Sequence, residues 1–353
     1  MTNSKTNPGR FFEDFRLGET IPHATPRSLG PGERALYIAL TGSRFAVQSS
    51  HDFARAIGYA SAPLDDLLVF HIVFGRSVPD ISLNAVANLG YAEMRFGASV
   101  HDGDSLTASS TVIGLKENSS RETGTVYVRT EGRNQRGEVV LSFVRWVMVR
   151  KRDKGAPAPA AVVPPLAESA SPDLASLLPP AIDLARYDRT LAGSPHLWDD
   201  YEPGERIDHV DGMTIEESCH MAATRLYQNT AKVHFNQLSE GEGRFGRRLI
   251  YGGHVISLAR SLSFNGLANA FHIAAINGGR HVAPLFAGDT IFAWSEVIAA
   301  AALPARDDVG ALRLRTMAAK NRPCSDFPLR QGEGYEPSIV LDLDYWALIL
   351  RRP

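Results

Sequence analysis

The feature that most constrains this chain is that it is written twice. Phe12-Glu13-Asp14-Phe15-Arg16-Leu17-Gly18-Glu19-Thr20-Ile21-Pro22-His23 returns as the stretch from Leu197 to His209, with one residue extra at its start. Gly18 maps to Gly204 and His23 to His209, both at an offset of 186 (204 − 18 and 209 − 23). Asp102-Gly103-Asp104-Ser105-Leu106 matches Ala287-Gly288-Asp289-Thr290-Ile291 at 185, and Leu141-Ser142-Phe143-Val144-Arg145-Trp146 matches Leu341-Asp342-Leu343-Asp344-Tyr345-Trp346 at 200. The jump puts an insertion of about 15 residues (200 − 185) into the second copy, and the polar stretch from Asn321 to Tyr335 is where it belongs.

Two copies in 353 residues mean two domains of ordinary size rather than a solenoid. The expected division is 1–150, an Ala/Pro-rich linker over 151–184, and 185–353. Lys151 to Ala181 reads as semi-extended chain that packs no core. Such a duplication suggests a fold that dimerises, fused into a single-chain pseudo-dimer. With 37 basic and 39 acidic residues there is no basic excess for nucleic acid. No apolar run reaches the ~20 residues of a membrane span, and Met1 to Arg10 is too polar for a signal peptide. Cys219 and Cys324 lie far apart without metal-like spacing, which fits reduced thiols in the cytoplasm.

Each copy opens with a Gly-Glu turn and continues into a helix, Pro31 to Thr41 in the first and Thr214 to Gln228 in the second. The second starts on a capping-box pattern, Thr214-Ile215-Glu216-Glu217. Further helical runs are Leu67 to Phe74 and His254 to Phe264. Thr107 to Leu115, Thr125 to Glu131 and Val139 to Arg150 are β-rich and bounded by turn residues. A main helix followed by antiparallel strands, repeated, is an α+β fold.

Chemistry concentrates in the second copy. Tyr227-Gln228-Asn229-Thr230-Ala231-Lys232-Val233-His234-Phe235 places an amide, an ammonium and an imidazole in one short segment. Tyr251-Gly252-Gly253-His254 then opens an apolar run. Histidine transfers protons near neutral pH. Glycines at a helix start offer backbone N–H donors to a developing anion. In the first copy Ser43 replaces Asn229, Gln48 replaces His234 and Asp66-Leu67 replaces the glycine pair, so that copy has lost this chemistry.

This order resembles the hotdog fold of the MaoC-like (R)-specific enoyl-CoA hydratases. Their motif runs Leu-Ser-Gly-Asp-x-Asn-Pro-x-His, followed by a Val-His-Gly turn into a long central helix and later a Gly-Asp-Thr/Ser-Leu turn. Leu226 to His234, Tyr251-Gly252-Gly253 and Gly288-Asp289-Thr290-Ile291 fall on these three motifs. Asp80 to Glu93, Gln228 to Asn236 and Leu249 to Ser257 are further similar to one branch of the family, whose methyl-branched acyl group carries a second carboxylate. The resemblance implies a tandem hotdog, each copy a central helix wrapped by an antiparallel sheet, that adds water reversibly to an enoyl-CoA. It implies no cofactor beyond the CoA of the substrate, a homo-oligomer, and a place in the ethylmalonyl-CoA route.

His234, Asn229 and Gly253 are then the expected catalytic residues. Asn229 stands where the family has an aspartate, and an amide takes up no proton at pH 7. Either His234 works alone while Asn229 positions the water, or one of Glu216, Glu217, Glu93, Asp65 and Asp66 supplies a carboxylate. Lys232, Arg225 and Arg248 are candidates for holding the second carboxylate. Tyr227, Gly252 and His254 complete the expected substrate-binding set, with packing and capping roles open for Tyr227 and His254. His23 and His209 recur in both copies and so read as structural. Arg247, Arg248, Arg280, Lys320 and Arg322 are available for CoA phosphates.

Gly241 to Gly246 spells G-x-G-x-x-G but lacks a βαβ unit, so it reads as a loop rather than a dinucleotide site. There is no His-Glu-x-x-His, Cys-x-x-Cys or Gly-x-Ser-x-Gly, so metal dependence and serine-hydrolase chemistry have no support. A general (R)-specific enoyl-CoA hydratase, an acyl-CoA thioesterase and a non-catalytic acyl-CoA-binding protein are the rival readings.

Overall fold

The computed structural model describes residues 5–170, 178, 181–304 and 306–352. In the first half the strands are β1 (Thr20–Ser28), β2 (Ala85–Phe96), β3 (Ser105–Glu117), β4 (Thr123–Arg133) and β5 (Val139–Arg150). The second half repeats them as β6 (Arg206–Thr214), β7 (His272–His281), β8 (Thr290–Leu303) and β9 (Arg306–Lys320). A short hairpin, β10 (Arg330–Gln331) and β11 (Gly334–Tyr335), then precedes β12 (Ile339–Leu350). That hairpin lies in the stretch where the offset jumps, and Trp294, Met317 and Cys324 bury themselves beneath it.

Ten strands form one sheet in the order β1-β3-β4-β5-β2-β7-β12-β9-β8-β6. The copies meet where β2 pairs with β7, Tyr91 opposite Gly279 and Met94 opposite Ile276, antiparallel as a two-fold relation requires. This is the expected α+β architecture, two hotdog units side by side in one continuous sheet.

Each unit carries a central helix, Asp66–Ser77 in the first and Gly252–Leu262 in the second, at the offset of 186 (252 − 66). Every residue from Leu67 to Ser77 is buried, because this helix is apolar all round and is enclosed on all sides. Gly75 is required there: a Cβ on it would sit 1.9 Å from the Tyr227 carbonyl oxygen. The second copy's approach to the central helix of the first is that close.

The first helix of copy one spans Pro31–Thr41 as expected, with the Glu33 carboxylate accepting the Gly30 N–H at 3.0 Å. Its counterpart spans Glu217–Tyr227, so the capping-box expectation at Thr214 is corrected. Thr214 ends β6, where its hydroxyl meets that of Thr290 at 2.7 Å across the strands. A cross-strand partner outcompetes the cap. The linker is also corrected, since it does pack. Leu115 and Val162 exchange backbone hydrogen bonds at 2.9 and 2.8 Å, and Ala170 and Leu178 join a core cluster with Phe53 and Leu348. Small side chains let its backbone lie flat against both copies.

His23 and His209 prove the duplication in detail. His23 bonds Ser110, which bonds Thr130; His209 bonds Ser295, which bonds Thr316; all four contacts measure 2.7–2.8 Å. Both imidazoles are satisfied core groups. No helix among the described residues is long and apolar enough to cross a membrane.

Candidate active site

The helix Glu217–Tyr227 ends at Gln228, whose left-handed backbone (φ 53) turns the chain sharply. Asn229 follows, its N–H bonded to the Thr224 carbonyl at 3.0 Å. A single helical turn, Lys232–Phe235, then carries His234. Two bonds tie this turn to the strand-like approach of the glycine turn. Leu249 N–H donates to the Val233 carbonyl at 2.9 Å, and His234 Nδ1–H donates to the Leu249 carbonyl at 3.0 Å. His234 is thereby fixed beside the N-terminus of the central helix Gly252–Leu262.

These elements wall one side of a cleft of about 480 Å³. From the second copy come Asn229, His234, Leu249, Tyr251, Gly252 and His281; from the first come Phe74, Ser82, Asn88, Tyr91 and Arg145. A volume of this order suits a small acyl group with its thioester. The equivalent place in the first copy is lined by Pro63, Leu64, Asp66 and Val69, which stand 186 before Leu249, Ile250, Gly252 and Val255, yet it holds only about 20 Å³. There Asp66 replaces a glycine, and its carboxylate takes His272 Nδ1 at 3.0 Å while Tyr59 meets His272 Nε2 at 2.9 Å. The degenerate site is closed by its own side chains.

The cleft is electrostatically unusual. No Asp or Glu lines it among the described residues. Burial pushes the His234 imidazole down to about 4, although the Leu249 carbonyl favours its charged form. His281 is also pushed down to about 4, by burial first and by His234 nearby. Both rings are therefore neutral at pH 7. Because His234 Nδ1 carries the proton given to Leu249, its Nε2 is the free acceptor. Asn229 is 1% exposed, and its Oδ1 accepts the Ala231 N–H at 3.2 Å, which leaves its NH₂ as the donating end. Asn88, Tyr91 and Tyr251 add polar groups, and both amide atoms of Asn88, the Tyr251 hydroxyl and His281 Nε2 are buried without a partner.

The structure brings His234, Asn229 and Gly252 together on the cleft. Gly253 lies beneath it, where a Cβ would be 2.4 Å from the Tyr251 ring; at Gly252 a Cβ would be 2.6 Å from the His281 ring. Tyr227 and His254 do not line the cleft. They meet each other at 3.3 Å behind it, and Tyr227 packs at a tilt against His71 with 4.2 Å between ring centres. Lys232 and Arg225 are exposed and also lie outside the lining, because Lys232 opens its short helix on the solvent side and Arg225 borders a separate hollow with Arg76 and Gln228. Arg248 is paired with Glu217.

None of the alternative carboxylates reaches the cleft. Glu93 is held by Arg129 at 2.5 Å and by the linker N–H of Ala167 at 3.0 Å. Asp65 caps the first central helix through the Leu67 N–H at 2.9 Å, and Asp66 serves His272. Glu216 is the unbonded N-cap of its helix. Among the described residues no group of three or more His, Cys, Asp or Glu is placed to hold a metal ion.

Sequence reasoning missed His281 and Arg145. His281 ends β7 and has no spacing relation to His234 that a motif would register. Arg145 did leave a signal. Leu141, Phe143, Arg145, Val147 and Val149 share one strand face, all of it fully buried, and a lone arginine on such a face is out of place.

Comparison with known proteins shows likeness in sequence and in fold. The sequence model of the mesaconyl-CoA hydratase family matches residues 2–325. A β-methylmalyl-CoA dehydratase of Chloroflexus aurantiacus is 64% identical over 99% of this chain and 99% of its own length. A mesaconyl-CoA hydratase of Cereibacter sphaeroides is 62% identical over 98% of this chain and 100% of its own. The crystal structure of a MaoC domain protein dehydratase from Chloroflexus aurantiacus superimposes with a TM-score of 0.96 at 63% identity, covering 99% of this chain and 100% of that one. A double-hotdog protein of Mycobacterium tuberculosis shares the fold, with a TM-score of 0.71 at 24% identity over 97% and 98% of the two chains.

Proposed function

Because the chain belongs to the mesaconyl-CoA hydratase family, we infer that it adds water reversibly to the C=C bond of mesaconyl-CoA, giving β-methylmalyl-CoA. It is a hydro-lyase. The observation that carries the assignment of roles is His234: a neutral imidazole, locked at Nδ1, whose free Nε2 serves a cleft without a carboxylate.

Water bound between His234 Nε2 and the Asn229 NH₂ loses its proton to the imidazole as its oxygen attacks the β carbon. The same proton then passes from the imidazolium to the α carbon, so one base serves both half-steps. Charge that builds on the thioester oxygen is met by the N–H groups of Gly252 and Gly253. These stand at the first positions of the central helix, where an N–H has no acceptor within the helix. Glycine there lets the thioester come close. The missing family aspartate is thus replaced by a division of labour, His234 for the proton and Asn229 for the water.

The first copy acts as a partner domain that completes the acyl pocket, and the division 1–150, 151–184 and 185–353 describes the two units and their linker. A homo-oligomer in the cytoplasm, with a place in the ethylmalonyl-CoA route and with no cofactor but the CoA of the substrate, completes the reading.

The test is hydration of mesaconyl-CoA by purified protein, followed as loss of the enoyl-thioester absorbance, with wild type and His234→Ala. Wild type turns over, and the variant loses about 100-fold or more in kcat while keeping its melting temperature. A folded His234→Ala protein as fast as wild type removes His234 from the mechanism.

A further inference from the structure

Resting on that hydratase reading, we propose that Arg145, supplied by the copy without catalytic residues, anchors the second carboxylate of the acyl group and sets the preference for dicarboxylic over plain enoyl thioesters.

Arg145 is 0% exposed and sits on β5 in the wall of the cleft that holds His234. Its partners are all neutral. One Nη donates to Ser77 Oγ at 2.8 Å, Ser82 Oγ lies at 3.4 and 3.5 Å, and the guanidinium lies 4.2 Å from the centre of the Phe74 ring. Nε has no partner. No Asp or Glu pairs with it among the described residues, although strand arginines elsewhere, Arg129, Arg313 and Arg315, each hold a carboxylate. Burial lowers its affinity for its proton, to about 10, against the opposing pull of Tyr91 and Tyr251. A guanidinium kept dry without an anion is costly, and hydroxyls and a ring face do not neutralise it. An anion that enters with the ligand does.

The chemistry of the substrate says where that anion must be. Whichever end of mesaconate bears the CoA, the carbon that receives the hydroxyl carries the free carboxylate directly. Its anchor therefore has to share the cavity with the base, one bond beyond the reacting carbon. Lys232 and Arg225 are outside that cavity, and Arg248 is neutralised by Glu217. Arg244 borders the cavity but is exposed and lies over the Phe245 ring at 5.1 Å. Arg145 is the buried cation of the lining. Its planar fork matches a carboxylate with two parallel bonds.

The duplication points the same way. The position equivalent to Arg145 in the second copy is Tyr345 (345 − 145 = 200), a buried neutral phenol bonded to the Thr316 hydroxyl. Charge has been kept in the copy that faces the working cleft. Tyr91, opposite Arg145 on the neighbouring strand, and Tyr251 lie close enough to feel its charge and complete the polar end. The thioester oxygen, bound at the Gly252 turn, and the carboxylate, bound at Arg145, lie on opposite sides of the trans double bond.

The experiment is steady-state kinetics of the full chain on mesaconyl-CoA and crotonyl-CoA, the second lacking the carboxylate and the branching methyl group, with wild type, Arg145→Gln and Arg145→Lys. Wild type prefers mesaconyl-CoA. Arg145→Gln loses about 100-fold or more in kcat/KM for mesaconyl-CoA and changes within about fivefold for crotonyl-CoA, whose turnover also reports a folded protein. Arg145→Lys keeps the charge, loses the fork and falls between them; it decides the matter if the glutamine variant does not fold. Equal losses on both substrates, or an unchanged preference, overturn the assignment. A wild type that hydrates both equally overturns it too while leaving the hydratase reading standing. A wild type that hydrates neither overturns both.

Discussion

His71 and Ser257 occupy the same position in the two copies (257 − 71 = 186), and they hydrogen bond to each other at 2.7 Å. Equivalent residues that touch mark a two-fold axis, so this contact is the pivot about which the halves are arranged. Divergence has made it asymmetric: a histidine from one copy meets a serine from the other. Tyr37 O–H adds a bond to the same Ser257 oxygen at 2.9 Å, and Tyr227 packs at a tilt against the His71 ring. The two central helices are thus joined by a buried polar knot directly behind the cleft.

Removing the hydroxyl at that pivot leaves His71 Nε2 without a partner, in a place where His71 Nδ1 already has none, and takes one of the Tyr37 hydroxyl's two partners. Ser257→Ala lowers stability by about 2 kcal/mol or more. Urea denaturation checks this as a lower midpoint at unchanged slope. Ser257 does not line the cleft, so the residual folded protein keeps its catalytic rate.

Acid stability follows from the buried histidines. Burial pushes His209, His234, His254 and His281 down to about 4 and His220 to about 3. Unfolded histidines take up protons near ~6.5. Between that value and the folded one the unfolded chain binds more protons, so stability is full above about pH 6.5 and falls steadily as pH drops towards 4. His272 works in the opposite sense. Burial disfavours its charge, but Asp66 outweighs this and raises it, so its share is present at low pH and lost as pH rises through its folded value. Melting temperature against pH shows a steep acid limb, shallower in His209→Gln. A flat profile from pH 7 to 4 contradicts the neutral buried rings.

What the sequence made legible is what repeats. The offset of 186 set Asp66-Leu67 against Gly252-Gly253 at the starts of the central helices and His23 against His209, because a duplicated fold keeps its core spacing. The motif segment located His234 and Asn229, because local chain geometry holds them together. The rest depends on contacts between the copies, which no local pattern encodes. Arg145 is 89 residues before His234 (234 − 145) and joins it only because β2 and β7 zip the two sheets into one. The capping box at Thr214 failed for the same kind of reason, a strand partner 76 residues away. The linker looked inert because backbone bonds hold it beside the few side chains, Ala170 and Leu178, that enter a core cluster.

The exposed cations separate local charge from charge in the cleft. Lys232 stands two residues before His234 in sequence but outside the cavity. Lys232→Ala therefore leaves the preference for mesaconyl-CoA over crotonyl-CoA as in wild type. The Arg248–Glu217 pair, exposed on its Glu217 side, contributes about 0–1 kcal/mol, so Glu217→Ala leaves the melting temperature nearly unchanged. Kinetics with both substrates and a thermal scan read these directly. A collapse of selectivity in Lys232→Ala returns the carboxylate site to that lysine.

Gly252 offers the sharpest test of the geometry, because stability and activity are expected to part there. It opens the central helix, where alanine is favoured over glycine by up to about 1 kcal/mol in propensity. A methyl group at this position, however, would lie 2.6 Å from two atoms of the His281 ring. The ring has to turn away, and its unpartnered Nε2 moves with it. The proposed binding of the thioester oxygen at the helix start puts the reacting group beside the same methyl group. Gly252→Ala thus folds and melts close to wild type, yet loses about tenfold to 100-fold in kcat, since displacements near 1 Å at a reacting centre carry costs of that order. Gly253→Ala meets the Tyr251 ring at 2.4 Å instead, deeper in the core, and its penalty falls on stability as well. Turnover measured beside a thermal scan distinguishes the two. A Gly252→Ala protein with wild-type turnover shows that neither the His281 ring nor close approach at the helix start limits the reaction.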